Sequence, residues 1–237
     1  LEKLTGARAG LKILSNLALN RRAGSSFMVP VEAFKTEKFA GKEVCERVVE
    51  AWEFAASDPF RAATHNKGVM NGIDAVAIAT GQDWRVINSS AYSENALLGK
   101  PRPFTSYKIE VDSKGKEYLV GNIELPIAVG VKGGATQSNP LYQQNLKLLD
   151  NPSSAELAQI ILSVGLAQNL AALKALSVEG IQRGHMRLHA RHIALSAGVP
   201  HDFIDAAVHY MQAKKSISAE TARDFLIEHG LPHLYTK

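Results

Sequence analysis

The apolar run from Leu157 to about Val178 sets the terms for the rest of this chain. Ser153 and Glu156 stand just ahead of it at capping-box spacing, in which each side chain satisfies a backbone N–H at a helix start. Leu157, Ile160, Ile161, Val164, Leu170, Leu173 and Leu176 then leave little polar surface. A helix of that kind is stable only inside a fold, so a central, buried helix is expected with other elements packed around it. Gln168 and Asn169 interrupt the run, and a buried amide must find partners in protein, water or ligand.

The 237 residues are enough for one or two domains with a large core, and 46% hydrophobic with 21% charged residues is ordinary for a globular chain. The net charge is +4, with Lys and Arg scattered rather than clustered, which suits a small anionic substrate better than nucleic acid. Cys45 is the only cysteine, so an intramolecular disulfide is excluded and a reducing, cytoplasmic setting is expected. No uninterrupted run of about 18 apolar residues occurs, so no membrane span is expected. Leu1 is not an initiator methionine and nothing at the start reads as a signal peptide, so the chain is expected to begin inside a longer protein.

Ahead of the apolar run, residues 11–14 suit a strand that Ser15-Asn16 breaks, and 26–31 suit a second extended segment. Val44, Val48, Val49, Trp52 and Ala55 fall at helical spacing over 42–57, with Cys45 near the same face as a small buried hydrophobe rather than a nucleophile. Asp58-Pro59 ends that helix. Asn66 is placed to cap a helix over 68–80, with Val69, Ile73, Val76 and Ala77 as its buried stripe and Gly81 as its stop. Residues 84–107 read as irregular, and 108–111 with 118–125 as a hairpin across Asp112-Ser113-Lys114-Gly115. The stretch 130–136, GVKGGAT, reads as a close-approach loop and is not a dinucleotide fingerprint. Beyond a joint at 180–184, three helical patterns follow over 185–197, 202–214 and 218–229.

The residues best suited to chemistry lie in RAATHNKGVMNGIDAVAIATGQD, residues 61–83. Lys67 at a helix start would meet the positive end of the dipole, which disfavours its charged form; a plain solvated lysine is the competing account. Arg61, His65 and Asn66 form a polar cluster with Lys67 that has no evident structural use, and a guanidinium beside an ammonium suits a carboxylate plus a developing oxyanion. Asp83 would orient or tune the lysine, or simply serve the helix exit. A straight helix between them is about 20 Å long, so a Lys67–Asp83 contact needs a broken helix or a second subunit across a two-fold axis. His185, His189 and His192 share one helix face, but no Cys or further ligand supports a metal site there; one histidine acting as a general acid is the better reading, and His185 is best placed.

On the stretches DPFRAATHNKGVMNGIDAVAIATGQDWR, GNIELPIAVGVKGGATQSNP and VGLAQNLAALKALSVEGIQRGHMRLHARHIA, the chain resembles the class II, bacterial and archaeal, hydroxymethylglutaryl-CoA reductases, over essentially its whole length. The resemblance implies an α+β fold. A large substrate-binding domain with a central buried helix and antiparallel strands would span 19–180, and an all-helical C-terminal flap 181–237. Residues 1–18 would be the last strand of a small ferredoxin-like NAD(P)-binding domain. It implies reduction of HMG-CoA to mevalonate and CoA with two NADPH or NADH. Lys67 would stabilise the substrate oxyanion, Asp83 tune that lysine, and His185 protonate the departing CoA thiolate. Arg61 would clamp the distal carboxylate, Asn71 and Gln168 give polar substrate contacts, Leu176 an apolar one, and Asn16 lie near the nicotinamide. The family's catalytic glutamate and its DAMGAN-like cofactor stretch do not occur here, so an N-terminal half would have to supply them. A homodimer or higher oligomer is implied, without nucleic acid or membrane. A non-catalytic substrate-binding or assembly module, and a metal enzyme built on the histidine face, are the alternatives.

Overall fold

The computed structural model describes residues 1–179 and 181–231, without the side chains of 179 and 181–188. In chain order it contains α1 (Glu2–Thr5), β1 (Arg22–Pro30), α2 (Gly41–Ser57), α3 (Pro59–Ala79), α4 (Trp84–Leu97), β2 (Thr105–Val111), β3 (Glu117–Pro126), α5 (Ala135–Ser138), α6 (Pro140–Leu148), α7 (Ser154–Lys174), α8 (Ile181–Ser196), α9 (Ile204–Ala213) and α10 (Ala219–Glu228). The chain divides into two compact units, Leu1–Lys174 and Ala175–Lys237.

In the first unit the strands form an antiparallel sheet in the order β1-β3-β2. The expected hairpin is present: Asp112 accepts from the N–H groups of Lys114 and Lys116 at 2.8 and 2.9 Å, closing the turn between β2 and β3. Strand β2 starts earlier than its apolar residues suggest, because Thr105 and Ser106 continue the ladder opposite Ile123 and Asn122. The capping box is also formed. The Ser153 N–H donates to the Glu156 carboxylate at 2.7 Å, and the Glu156 N–H to the Ser153 hydroxyl at 3.2 Å. Helix α7 then packs on the sheet and against α3. Leu157, Ile161, Leu162, Leu166 and Leu173 are buried, while Val164, Gln168 and Leu176 lie open, so the long helix is central on one side only. The stretch Ser154–Val178 has the length and composition to cross a membrane, yet its α7 part, Ser154–Lys174, serves as the core helix of the first unit, on which the sheet and α3 pack.

The α3–α7 contact depends on two glycines. A Cβ on Gly72 would lie 2.9 Å from the Val164 carbonyl and 2.9 Å from Gln168 Cβ, and one on Gly165 would lie 2.7 Å from Ile73 Cγ1. Only residues without a side chain let the backbones approach this far. Around that crossing, α2 closes the other side of α3 and buries Val44, Cys45 and Val48.

The structure corrects several expectations. Asp58-Pro59 does end α2, but the same pair starts α3: the Asp58 carboxylate accepts from the Phe60 N–H at 3.0 Å, and Pro59 occupies the first helical turn. Proline is preorganised for that position and lacks the N–H that would be orphaned there. Helix α3 therefore begins well before 68, Asn66 is not a cap, and Lys67 lies mid-helix, away from the dipole end. Residues 84–97 are helical rather than irregular, because Asp83 caps α4 by accepting from the Arg85 and Val86 N–H groups. Residues 11–14 are not a strand. They have no regular structure, and Leu11, Ile13 and Leu14 are 83–92% exposed. An extended segment forms a strand only by pairing its backbone groups, and this one has no partner among the described residues.

The second unit is helical. A π-helical turn spans Ala175–Glu179, and α8, α9 and α10 follow around a core of Ala190, Ala194, Val208, Met211, Phe225 and Leu226. Ser218 caps α10 through the Thr221 N–H at 3.1 Å. The three helical patterns read beyond the joint are these helices; the joint itself lies partly outside the described residues, and α8 begins before His185.

Candidate active site

Helix α3 buries Val69, Ile73 and Ala77 against α7 and α2, and this orients everything else on it. Lys67 and Asn71, four residues apart, fall on one exposed strip. Among the described residues the Lys67 ammonium and the Arg61 guanidinium have no hydrogen-bonding or ion-pair partner. Gln168 of α7 is exposed and stands against α3 where Gly72 crosses, one residue past Asn71. Lysine, asparagine and glutamine thus share an open face at a helix crossing: a cation with amide donors and acceptors beside it, a set that suits a polarised carbonyl or carboxylate.

The residues flanking Lys67 do have a structural use. Asn66 is buried; its side-chain N–H donates to the Arg102 carbonyl at 2.7 Å and its carbonyl accepts from the Phe104 N–H at 2.8 Å. Asn95 of α4 holds Arg102 as well, accepting from its N–H at 3.0 Å and donating to its carbonyl at 2.7 Å. His65 Nε2 lies 2.7 Å from the Thr105 hydroxyl. That hydroxyl donates to the Asn169 side-chain carbonyl at 2.9 Å, and Tyr107 donates to the same oxygen at 2.8 Å. This is where the buried amide of α7 finds its partners. Burial, followed by the nearby Arg61 charge, pushes the His65 imidazole down to about 4, so it is neutral.

Asp83 is not beside Lys67 in this chain. The helix between Lys67 and Ala79 alone is about 18 Å long. The Asp83 carboxylate caps α4 and pairs with Arg85 at 3.4 Å. Desolvation, the largest single effect, pushes it up, but the Val86 N–H, the Arg85 side chain and charge, and the Arg85 N–H together outweigh it and hold it below the usual carboxylate range. The chain turns into α4 at Gly81, where φ is +71° and a Cβ would meet the Tyr142 ring at 2.5 Å. Next to it the Gln82 amide grips Gly130 from both sides, accepting from its N–H and donating to its carbonyl, each at 2.9 Å. The first residue of the glycine-rich loop is thereby tied to the residue before Asp83.

Leu176 lies in the π-helical turn of the second unit and is 38% exposed. His185 falls within α8, and its side chain lies outside the described residues. His189 and His192 are exposed, and among the described residues no group of three His, Cys, Asp or Glu side chains comes together to hold a metal. Asn16 is exposed on the irregular segment, two residues before Ala18, whose N–H donates to Ser90 of α4 at 3.2 Å. Sequence reasoning passed over Asp74. It lies seven residues past Lys67 and so on the same side of α3, its carboxyl raised by desolvation despite the Asn88 amide that donates to it at 2.7 Å. The spacing was the available signal.

The family model described as hydroxymethylglutaryl-coenzyme A reductase matches residues 1–190. The 3-hydroxy-3-methylglutaryl-coenzyme A reductase of Archaeoglobus fulgidus is 48% identical over 226 residues, 95% of this chain and 50% of the relative. The probable 3-hydroxy-3-methylglutaryl-coenzyme A reductase of Borreliella burgdorferi is 32% identical over 235 residues, 98% of this chain and 49% of the relative. Among solved structures, the 3-hydroxy-3-methylglutaryl-coenzyme A reductase from Streptococcus pneumoniae matches with a TM-score of 0.68 at 40% identity, over 96% of this chain and 53% of that one. The class II reductase from Streptococcus pneumoniae bound to NADPH in open conformations gives 0.68 at 41% identity, over 97% and 55%. The chain spans about half the length of the curated relatives it matches.

Proposed function

This chain belongs to the hydroxymethylglutaryl-coenzyme A reductase family, and from that premise we propose that it supplies the substrate-facing part of a reductase converting HMG-CoA to mevalonate and CoA. The observation that carries the reading is the Lys67 ammonium, unpaired among the described residues, on the open face of α3 with Asn71 beside it and Gln168 across the Gly72 crossing.

Each of two hydride transfers builds negative charge on one substrate oxygen. A fixed ammonium there favours both transition states over their ground states. Lys67 takes that role, and Arg61, unpaired at the edge of the same face, takes the distal carboxylate. Asn71 and Gln168 orient the acyl group, and Leu176 adds an apolar contact. Between the two hydride transfers the thiohemiacetal collapses to an aldehyde, and the leaving thiolate takes its proton from His185. Asp83 stabilises the ammonium. Because α3 separates the two within one chain, the pair is formed between two copies related by a two-fold axis.

NADPH or NADH supplies the hydride. Asn16, exposed and with its side-chain amide unpaired among the described residues, fits as one contact to such a cofactor and not as a site. The remainder of the cofactor site, and the family's catalytic glutamate, come from an N-terminal half that also covers Leu11, Ile13 and Leu14. The test is NADPH oxidation dependent on HMG-CoA by the complete reductase. Lys67→Ala is expected to lower kcat by about 100-fold or more; undiminished activity removes the assigned role. Binding of HMG-CoA without any turnover identifies the non-catalytic module instead.

A further inference from the structure

Two residues before Lys67 and one residue after Gln168, a buried chain of hydrogen bonds joins α3 to α7 through β2. We infer that His65, Thr105 and Asn169 form a positioning device that sets where Lys67 stands relative to Gln168, so that both act on one bound substrate. The inference rests on the reductase reading above and deepens it by adding residues that touch no substrate.

Thr105 has one hydroxyl proton and donates it to Asn169 Oδ1 at 2.9 Å. Toward His65, 2.7 Å away, the hydroxyl can then only accept, so the proton of that bond sits on Nε2 of the imidazole. The opposite nitrogen, Nδ1, is buried without a partner. Tyr107 donates to the same Asn169 oxygen, so two hydroxyls of β2 converge on α7. His65, Thr105 and Asn169 are each at most 4% exposed, which makes each bond costly to leave unmade.

The device answers a mechanical need. At the Gly72–Gly165 crossing the two backbones come close, with the Gln168 and Ile73 side chains packed where the glycines carry no Cβ, which fixes the separation of the helices at one point along their length. Rotation would swing Lys67 past Gln168. The His65–Thr105–Asn169 chain lies beyond the crossing and ties both helices to β2, which is itself anchored through Asn66 to Arg102 and Phe104. His65 and Asn66 are the two residues before Lys67, so the turn bearing the ammonium is pinned by consecutive side chains.

The experiment uses the complete reductase and two matched pairs. Thr105→Val removes the hydroxyl at constant shape, and Thr105→Ser keeps it. His65→Met fills the space without a donor, and His65→Gln carries an N–H near the position of Nε2. Thermal melts by circular dichroism set a temperature at which each variant is folded, and kcat and KM for HMG-CoA are measured there. Thr105→Val and His65→Met are expected to lower kcat by about 10- to 100-fold with KM changed less than about three-fold, since small displacements of a charge-stabilising group are felt in the transition state. Thr105→Ser and His65→Gln are expected to return kcat to within about three-fold of wild type. A purely structural role predicts lower melting temperatures with unchanged kcat per folded molecule, and that result overturns the inference. Should one member of a pair fail to fold, the other pair decides alone. If Lys67→Ala retains full activity, the reductase reading itself has failed, which is a separate outcome from Thr105→Val retaining it.

Discussion

Acid should unfold this protein partly through one residue. His65 is 2% exposed, and burial, then the charge of Arg61, lowers its imidazole from the ordinary 6.5 to about 4. The groups facing it from β2 and α7 are Thr105, Tyr107 and Asn169, none of them charged; burial keeps the Tyr107 hydroxyl protonated far above neutrality. As the pH falls, the unfolded chain binds the imidazole proton first, and the folded chain takes it up only near pH 4. The contribution to stability is therefore complete above about 6.5, declines between about 6.5 and 4, and is gone below that. At about 1.4 kcal/mol per pH unit, the interval comes to about 3 kcal/mol. His65→Gln keeps a donor for Thr105 and does not titrate. Urea unfolding of both proteins, followed by tryptophan fluorescence, isolates the effect, because every other titrating group contributes to both. Trp52 reports on this neighbourhood, its indole N–H donating to the Thr105 carbonyl at 2.7 Å. Between about pH 7 and 4 the wild type should lose about 3 kcal/mol more than His65→Gln. Curves that run parallel within about 0.5 kcal/mol would refute the argument that burial holds His65 neutral.

Further expectations test other parts of the structure. Mixing equal amounts of full-length Lys67→Ala and Asp83→Asn reductase should restore about a quarter of wild-type activity if the pair forms between subunits, since half the dimers are mixed and each has one intact site; assays of the mixture after subunit exchange check this, and no recovery places both residues in one subunit. Gly72→Ala should destabilise the fold by about 1–3 kcal/mol, because its methyl would press on the Val164 carbonyl and Gly165 Cα, and a shift in the urea midpoint measures it. Cys45 is fully buried and its thiol is pushed up to about 12, chiefly by burial, so an aromatic disulfide reagent should label it only after unfolding, as absorbance of the released thiolate would show.

What the sequence made legible was local. The capping box at Ser153 and Glu156, the Asp112 turn and the spacing of Val44, Val48 and Ala55 each carry their structure within a few residues. The start of α3 was misread because Asp58-Pro59 serves two helices at once, and a stop signal conceals a start signal when no loop separates them. His65 and Asn66 looked idle because their partners, Thr105, Arg102 and Phe104, are more than thirty residues away. Helix α4 was hidden by sparse apolar positions, with Ile87 and Ala91 buried among serines and asparagines. On α3, Lys67 and Arg61 stood out by their chemistry, and Asn71 was named through family resemblance alone. Their arrangement follows from the Gly72–Gly165 contact, which spacing within either helix does not reveal.

Asp83 begins α4, and the proposed mechanism gives the same carboxylate a second post beside the Lys67 ammonium. The posts differ in what they require. Starting a helix needs an oxygen that accepts from backbone N–H groups, and asparagine serves nearly as well as aspartate. Steadying an ammonium needs the negative charge itself. Alanine at this position removes both functions, so lost activity could reflect a frayed α4 and a freed Gln82–Gly130 grip rather than a missing charge. Asparagine separates them: α4 keeps its start, the charge disappears, and any deficit that remains belongs to the electrostatics of the reaction.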